Sequence, residues 1–187
     1  AAGTNQEAII LSTAYFCAAL AAGMAAVAVF LVLRVKCGGF KGLFSKATAS
    51  FFFLLTALCA AAANPGHGVY AVLIVFGLAF GLSGDIWLDL KWIYKADADK
   101  FLNAGFIAFM IGHLFYIGTV FAFCGKWTLL SVLLPVTASV IVSLGNIIIS
   151  EKLMKLKFGK FRAIVGAYTF LLFMTFAVSF SAMILNS

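Results

Sequence analysis

Charge is what this sequence has least of. Only 10% of its residues are Asp, Glu, Lys or Arg, while 65% are hydrophobic. Soluble domains carry about 25% charged residues, so a water-facing surface cannot be assembled here and a soluble globular fold is excluded. Acidic residues are scarcer still, six against thirteen Lys and Arg. The sequence also lacks the patterns that announce common catalytic machinery. No serine stands in a G-x-S-x-G elbow, and there is no HExxH, P-loop or GxGxxG. Cys17, Cys37, Cys59 and Cys124 show no paired metal-ligand spacing. Nothing in the chain points to zinc, haem or any other metal or cofactor, and no disulfide follows. Cys17 and Cys59 read as small buried hydrophobes, and Cys37 as facing a reducing cytoplasm.

What the chain does have is long charge-free runs: 8–33, 47–84, 101–125, 127–150 and 163–187. The second is broken by Asn64-Pro65-Gly66-His67-Gly68, too polar and too helix-breaking to lie in lipid. About 20 apolar residues cross a bilayer. The expected fold is therefore all-α, a polytopic membrane bundle in one domain over 1–187. Its six helices are expected near 8–33, 45–63, 69–92, 101–124, 127–149 and 162–185. The second is the shortest run and is expected to begin before Ala47, while Gly38-Gly39 and Lys41-Gly42 read as a turn. The first run is too long for a cleavable signal peptide, and its basic cluster follows rather than precedes it.

The net charge of +7 is distributed for topology rather than for nucleic acid. Arg34, Lys36, Lys41 and Lys46 fall in the first loop, and Lys91, Lys95 and Lys100 in the third. Lys152, Lys155, Lys157, Lys160 and Arg162 fall in the fifth, and Lys126 alone lies on the alternate side. The positive-inside rule places the basic loops in the cytoplasm and both visible termini outside it. Anionic headgroups would gather at the basic loops. Asp97 or Asp99 is expected to cap the fourth helix; Glu151 and His67 read as solvated loop groups. Pro135, inside the fifth helix, is expected to kink it.

Two segments carry polar groups at helical spacing inside membrane-type sequence. GLAFGLSGDIWLDL contains Gly77, Gly81, Asp85 and Asp89 on one face. The two glycines form a small-xxx-small pattern that lets another helix approach. Asp85 precedes Lys91 by about 9 Å of helix at 1.5 Å per residue. It therefore belongs inside the bilayer, in the cytoplasmic half, where a carboxylate is costly and usually functional. Asp89 is expected nearer the interface, reaching water or pairing with a lysine. GFIAFMIGHLFY contains His113 and Tyr116 at i, i+3. Ser139, Ser143, Asn146 and Ser150 stripe the fifth helix; Tyr168, Thr175 and Ser179 stripe the sixth. Asp85, His113 and Tyr116 are the candidate catalytic residues. Asp89, Asn146 and Tyr168 are the candidate substrate-binding residues. A carboxyl, an imidazole and a phenol in a lipid-facing cavity point to acid–base chemistry.

The pattern Gly84-Asp85-Ile86-Trp87-Leu88, followed by Gly105-Phe106-Ile107-Ala108-Phe109-Met110-Ile111-Gly112-His113-Leu114-Phe115-Tyr116, resembles the signature of the YhhN family of membrane proteins. That family includes lysoplasmalogenases. The likeness is close over these two helices and extends more weakly to Gly166-Ala167-Tyr168. It implies hydrolysis of the vinyl ether bond of lysoplasmalogen to a fatty aldehyde and a glycerophospho-ethanolamine or -choline. That chemistry needs a carboxylic acid to give a proton and a carboxylate to stabilise a cation or activate water. Family members typically have eight helices, the last two with a second aspartate motif. This sequence stops at Leu185-Asn186-Ser187, so the last two helices and that aspartate are expected to be missing.

Two other functions compete. One is a non-catalytic lipid-binding or scaffold subunit of a larger membrane assembly. The other is a small transporter with Asp85 as a proton or cation site, although helices 1–3 and 4–6 share no motif of the kind a repeat transporter shows. The expected partners are a lysophospholipid or other membrane lipid, and other membrane proteins, but not nucleic acid.

Overall fold

The computed structural model describes residues 2–37, 39–123 and 126–185; Cys124 lies outside them. The described residues are helical or in short connections. Helix α1 spans Ala2–Lys36, α2 Gly39–Ala63, α3 Gly68–Ile93, α4 Ala98–Phe123, α5 Leu129–Lys152 and α6 Arg162–Leu185. All six are long and apolar enough to cross a membrane. The turns between them are short: Pro65–His67, Lys95–Asp97 and Gly159–Phe161 each form a single 3₁₀ turn.

The placement of residue types is the reverse of a soluble core. Large apolar side chains such as Met24, Phe44, Val72, Ile141 and Phe176 are exposed, while Ala19, Ala49, Ala108, Thr119, Ser139, Ser143 and Thr169 are buried. In lipid there is no hydrophobic drive to hide leucine. Helices instead meet through small residues that let backbones approach and through hydroxyls that bond. Those hydroxyls also serve their own helix: Thr48, Thr56, Thr119 and Thr169 each donate to the carbonyl four residues back, at 2.7–2.8 Å. Cys17 does not pack inside; it is exposed on α1, and Cys59 is half-buried. A thiol on an apolar outer face needs no protein partner when that face meets lipid.

The chain divides into two compact units, residues 1–108 and 109–187. In the first, α1 packs on α2 and α2 on α3. Helix α2 starts at Gly39 rather than near 45, so Gly39, Lys41 and Gly42, read as part of a turn, are helix; Gly38 lies outside the described residues. Lys46 consequently sits about two turns inside α2. Helices α3 and α4 also approach closely. A methyl group at Gly105 would lie 2.6 Å from Leu88 Cδ2 and 3.3 Å from the Gly84 carbonyl oxygen, whereas at Gly81 it would meet nothing. Gly84 and Gly105 meet at the α3–α4 crossing, Gly77 is buried, and Gly81 faces open space.

In the second unit, α5 packs on α6. Ser143 donates to the Gly166 carbonyl at 3.0 Å, and a methyl at Gly166 would lie 3.0 Å from Ile147 Cδ1. Thr128 caps α5 in a reciprocal capping box with Ser131. Pro135 is buried inside α5. Beside it an apolar groove of ≈ 490 Å³ runs between α5 and α6, lined in part by Ser139, Val142, Phe173 and Phe176. Glu151 is not simply solvated: Arg162 Nε lies 3.2 Å from its carboxylate, closing the α5–α6 connection.

Candidate functional site

Two groups of polar side chains emerge, one in each unit. The first is built on the ends of α1, α2 and α3. Lys46 and Ser50 are one helical turn apart on α2, and Asp85 and Asp89 one turn apart on α3. The facing pairs mesh: Lys46 Nζ lies 2.9 Å from Asp85 Oδ1 and 3.9 Å from Asp89 Oδ1. Ser50 Oγ donates to Asp85 Oδ2. Arg34, at the last turn of α1, donates from Nη1 to Asp89 Oδ2 at 2.9 Å. It reaches across buried Gly42, where a methyl group would lie 3.4 Å from that same nitrogen. Glycine at 42 thus leaves room for a guanidinium to pass over α2.

The four charges cancel in sum but differ in access. The side chains of Arg34, Lys46 and Asp85 retain 36%, 23% and 23% of their exposure, and Asp89 only 4%. Asp89 therefore does not reach water but does meet the expected lysine, Lys46, at 3.9 Å; it is a buried anchor gripped chiefly by Arg34. A charge out of water needs such pairing, because stripping its hydration is expensive. Asp85 is likewise not an isolated carboxyl in hydrocarbon. It accepts from two donors while staying partly open.

The second group lies on α4 and α6. His113 Nδ1 is 3.0 Å from Thr175 Oγ1. The imidazole sits between two phenol rings, edge-to-face with Tyr116 at 6.0 Å and tilted to Tyr168 at 5.8 Å. Phe109 packs on the far ring, 6.1 Å from Tyr168. The i, i+3 pair of α4 and the polar stripe of α6 thus converge, so His113, Tyr116 and Tyr168 belong together.

Asn146 joins neither group. It is exposed on α5, while the buried stripe of that helix runs through Ser139, Ser143, Ile147 and Ser150. A residue one position off a buried stripe is rotated by about 100°, which is enough to turn it out of the α5–α6 contact. Arg34, Lys46, Ser50 and Thr175 are the members that reading the sequence for a site had left out. Lys46 was hidden by being counted among the basic charges of the first loop. Its spacing from Ser50, matched to that of Asp85 and Asp89 on the next, antiparallel helix, was the available signal. Asp97 and Asp99 belong to the start of α4 rather than to either group; Asp97 pairs with Lys100 at 2.7 Å. No group of three or more His, Cys, Asp or Glu able to hold a metal occurs among the described residues.

Six membrane-length apolar helices, with ionised and aromatic polar groups held inside them, define a polytopic helical membrane protein. The family model of the YhhN family matches residues 43–187, and the chain belongs to that family. The match includes Lys46, Asp85, Asp89, His113, Tyr116 and Tyr168. No curated protein and no solved structure matches the chain.

Proposed function

We propose that this protein is a membrane hydrolase that cleaves the vinyl ether bond of lysoplasmalogen, with Asp85 as its acid–base group. The observation that carries the reading is the state of Asp85. It is a carboxyl inside a membrane helix, held by Lys46 and Ser50, yet still partly open, in a member of the YhhN family. Its neighbour Asp89 is shut in and engaged by Arg34, which leaves one carboxyl to do the chemistry.

One carboxyl closes the proton balance. Asp85, an ion-paired carboxylate at rest, first takes a proton from solvent through its open side; the acid then gives that proton to the alkene carbon remote from the ether oxygen, leaving an oxocarbenium ion beside the restored carboxylate. Opposite charges at contact in a water-poor site attract strongly. Water then adds to the cation while the carboxylate takes a proton from it. The hemiacetal collapses to a fatty aldehyde and the glycerophospho-alcohol. Lys46 and Arg34 are cations with exposed surface at this end of α1 and α2. They suit the lysophospholipid's phosphate, as arginine forks and lysine ammonium groups do elsewhere. The basic loops would lie in the cytoplasm, so the substrate would enter with its headgroup at that face.

The direct test offers the purified chain three lysophospholipids that differ only at the first linkage: vinyl ether, alkyl ether and ester. Free aldehyde from the vinyl ether alone supports the reading. Aldehyde from none of them sinks it.

A lipid-binding or scaffold role is the second reading. It is favoured by the finding that no buried side-chain nitrogen or oxygen among the described residues lacks a hydrogen-bond partner. A charge cluster satisfied from within can simply lock α1, α2 and α3 together.

A further inference from the structure

We propose that Thr175 is a positioning residue that fixes the tautomer of His113, so that Nε2 is presented as a hydrogen-bond acceptor for a hydroxyl donor, water or a lipid alcohol. This does not depend on the vinyl ether reading, since it concerns only which ring nitrogen carries the proton.

The deduction is one of proton counting. A threonine hydroxyl has one proton to give and two lone pairs to accept with. Thr175 Oγ1 gives its proton to the Leu171 carbonyl, 2.8 Å away. That is the same bond back to the preceding turn that Thr48, Thr56, Thr119 and Thr169 make, so the rotamer is the ordinary one for threonine in these helices. Toward His113 Nδ1, at 3.0 Å, only a lone pair remains. Two lone pairs facing each other would repel, so Nδ1 carries the hydrogen and Nε2 of the neutral ring is left bare. A free imidazole in water prefers the opposite arrangement.

The bare nitrogen is also accessible. No described residue forms a hydrogen bond with Nε2. Every buried side-chain nitrogen and oxygen among the described residues has a partner, so Nε2 is not one of the enclosed atoms. The rings of Tyr116 and Tyr168 flank the imidazole at 6.0 and 5.8 Å between centroids. An acceptor in that position, with aromatic walls, selects for something that donates: a hydroxyl rather than an ester carbonyl or an ether oxygen.

The chain contains two histidines, His113 and the loop residue His67, so ring-nitrogen NMR shifts of histidine-labelled protein in lipid nanodiscs can be assigned with one His67→Gln control. At alkaline pH the expected result is an Nδ1–H, bare-Nε2 ring for His113. Thr175→Ser should keep it, and Thr175→Val, which cannot accept, should turn the ring to the Nε2–H form. An Nε2–H ring in the unaltered protein would overturn the proposal, because Thr175 would then be donating to Nδ1. So would a spectrum unchanged by Thr175→Val. If the valine variant fails to fold, the unaltered protein and the serine variant decide the question. Adding an alkyl-ether lysolipid, with its glycerol hydroxyl present or replaced by hydrogen, separates the two donors. A shift of Nε2 with the hydroxyl form alone assigns the lipid alcohol, and no shift with either assigns water.

Discussion

Asp89 is shut away from solvent with a cation on either side, so removing its partner and removing the whole pair should have different consequences. Arg34→Met leaves a buried carboxylate with only Lys46, at 3.9 Å. Leaving a buried polar group short of its partner costs about 1–3 kcal/mol. The arginine's own partial exposure keeps the figure from the larger values seen for sealed pairs. Thermal unfolding in detergent should show a lowered midpoint for Arg34→Met. Arg34→Met combined with Asp89→Leu should recover most of it, since apolar replacement of a buried ion pair is often neutral. A double variant as unstable as the single one would mean that the pair contributes more than mutual neutralisation. At this scale Asp85 was legible in the sequence because a carboxylate among apolar residues is conspicuous. Lys46 was not, because a lysine close to other lysines reads as a loop charge until the start of its helix is known. His113 and Tyr116 could be paired by spacing on one helix, but their meeting with Tyr168 and Thr175 depends on how α4 and α6 pack, which no local pattern encodes.

Among the helices, the α3–α4 crossing makes a sharper prediction than any general statement about glycine. Gly105→Ala would drive a methyl into Leu88, with atoms at 2.6 and 2.7 Å, and close to the Gly84 carbonyl oxygen. Overpacking of this kind costs about 1–3 kcal/mol. Gly81→Ala meets open space, and alanine is the better helix former by about 1 kcal/mol. The first variant should melt lower than the unaltered protein, and the second the same or slightly higher. Equal melting of the two would contradict the crossing described. Sequence reading gave the right helix for close approach, and Gly77 is buried on it, but Gly81 meets open space and Gly84 carries the contact with Gly105. Gly77, Gly81, Gly84 and Gly105 look alike as letters, and only the rotation of α3 against α4 tells which of them face each other. Helix α2 shows the complementary failure. Gly39, Lys41 and Gly42 have the composition of a turn, yet Gly42 is buried under Arg34 inside a helix. Helix packing there outweighed the weak local preference for a break.

For the molecule as a whole, the number of membrane-length helices could be read directly, because hydrocarbon leaves the backbone no alternative to helix and apolar length is a strong signal. Membership of the YhhN family was legible too, since Gly84-Asp85 and Gly112-His113 sit in a composite pattern over two helices. Orientation follows from the basic loops as a proposal of its own. In a cysteine-free background, Lys126→Cys should react with a membrane-impermeant maleimide added outside intact cells, and Lys155→Cys only after the cells are opened. The reverse pattern would invert the topology.

The central claim is that Asp85 performs acid–base chemistry on a vinyl ether, and the most direct measurement is aldehyde release by Asp85→Asn beside the unaltered protein. Asparagine keeps the shape but can neither give nor take the proton. The account predicts a loss of about 10²–10⁴-fold, the usual contribution of a positioned acid–base group, in a variant whose helical content and elution as a folded species are retained. Undiminished aldehyde release from that folded variant would contradict it and move the chemistry to another residue.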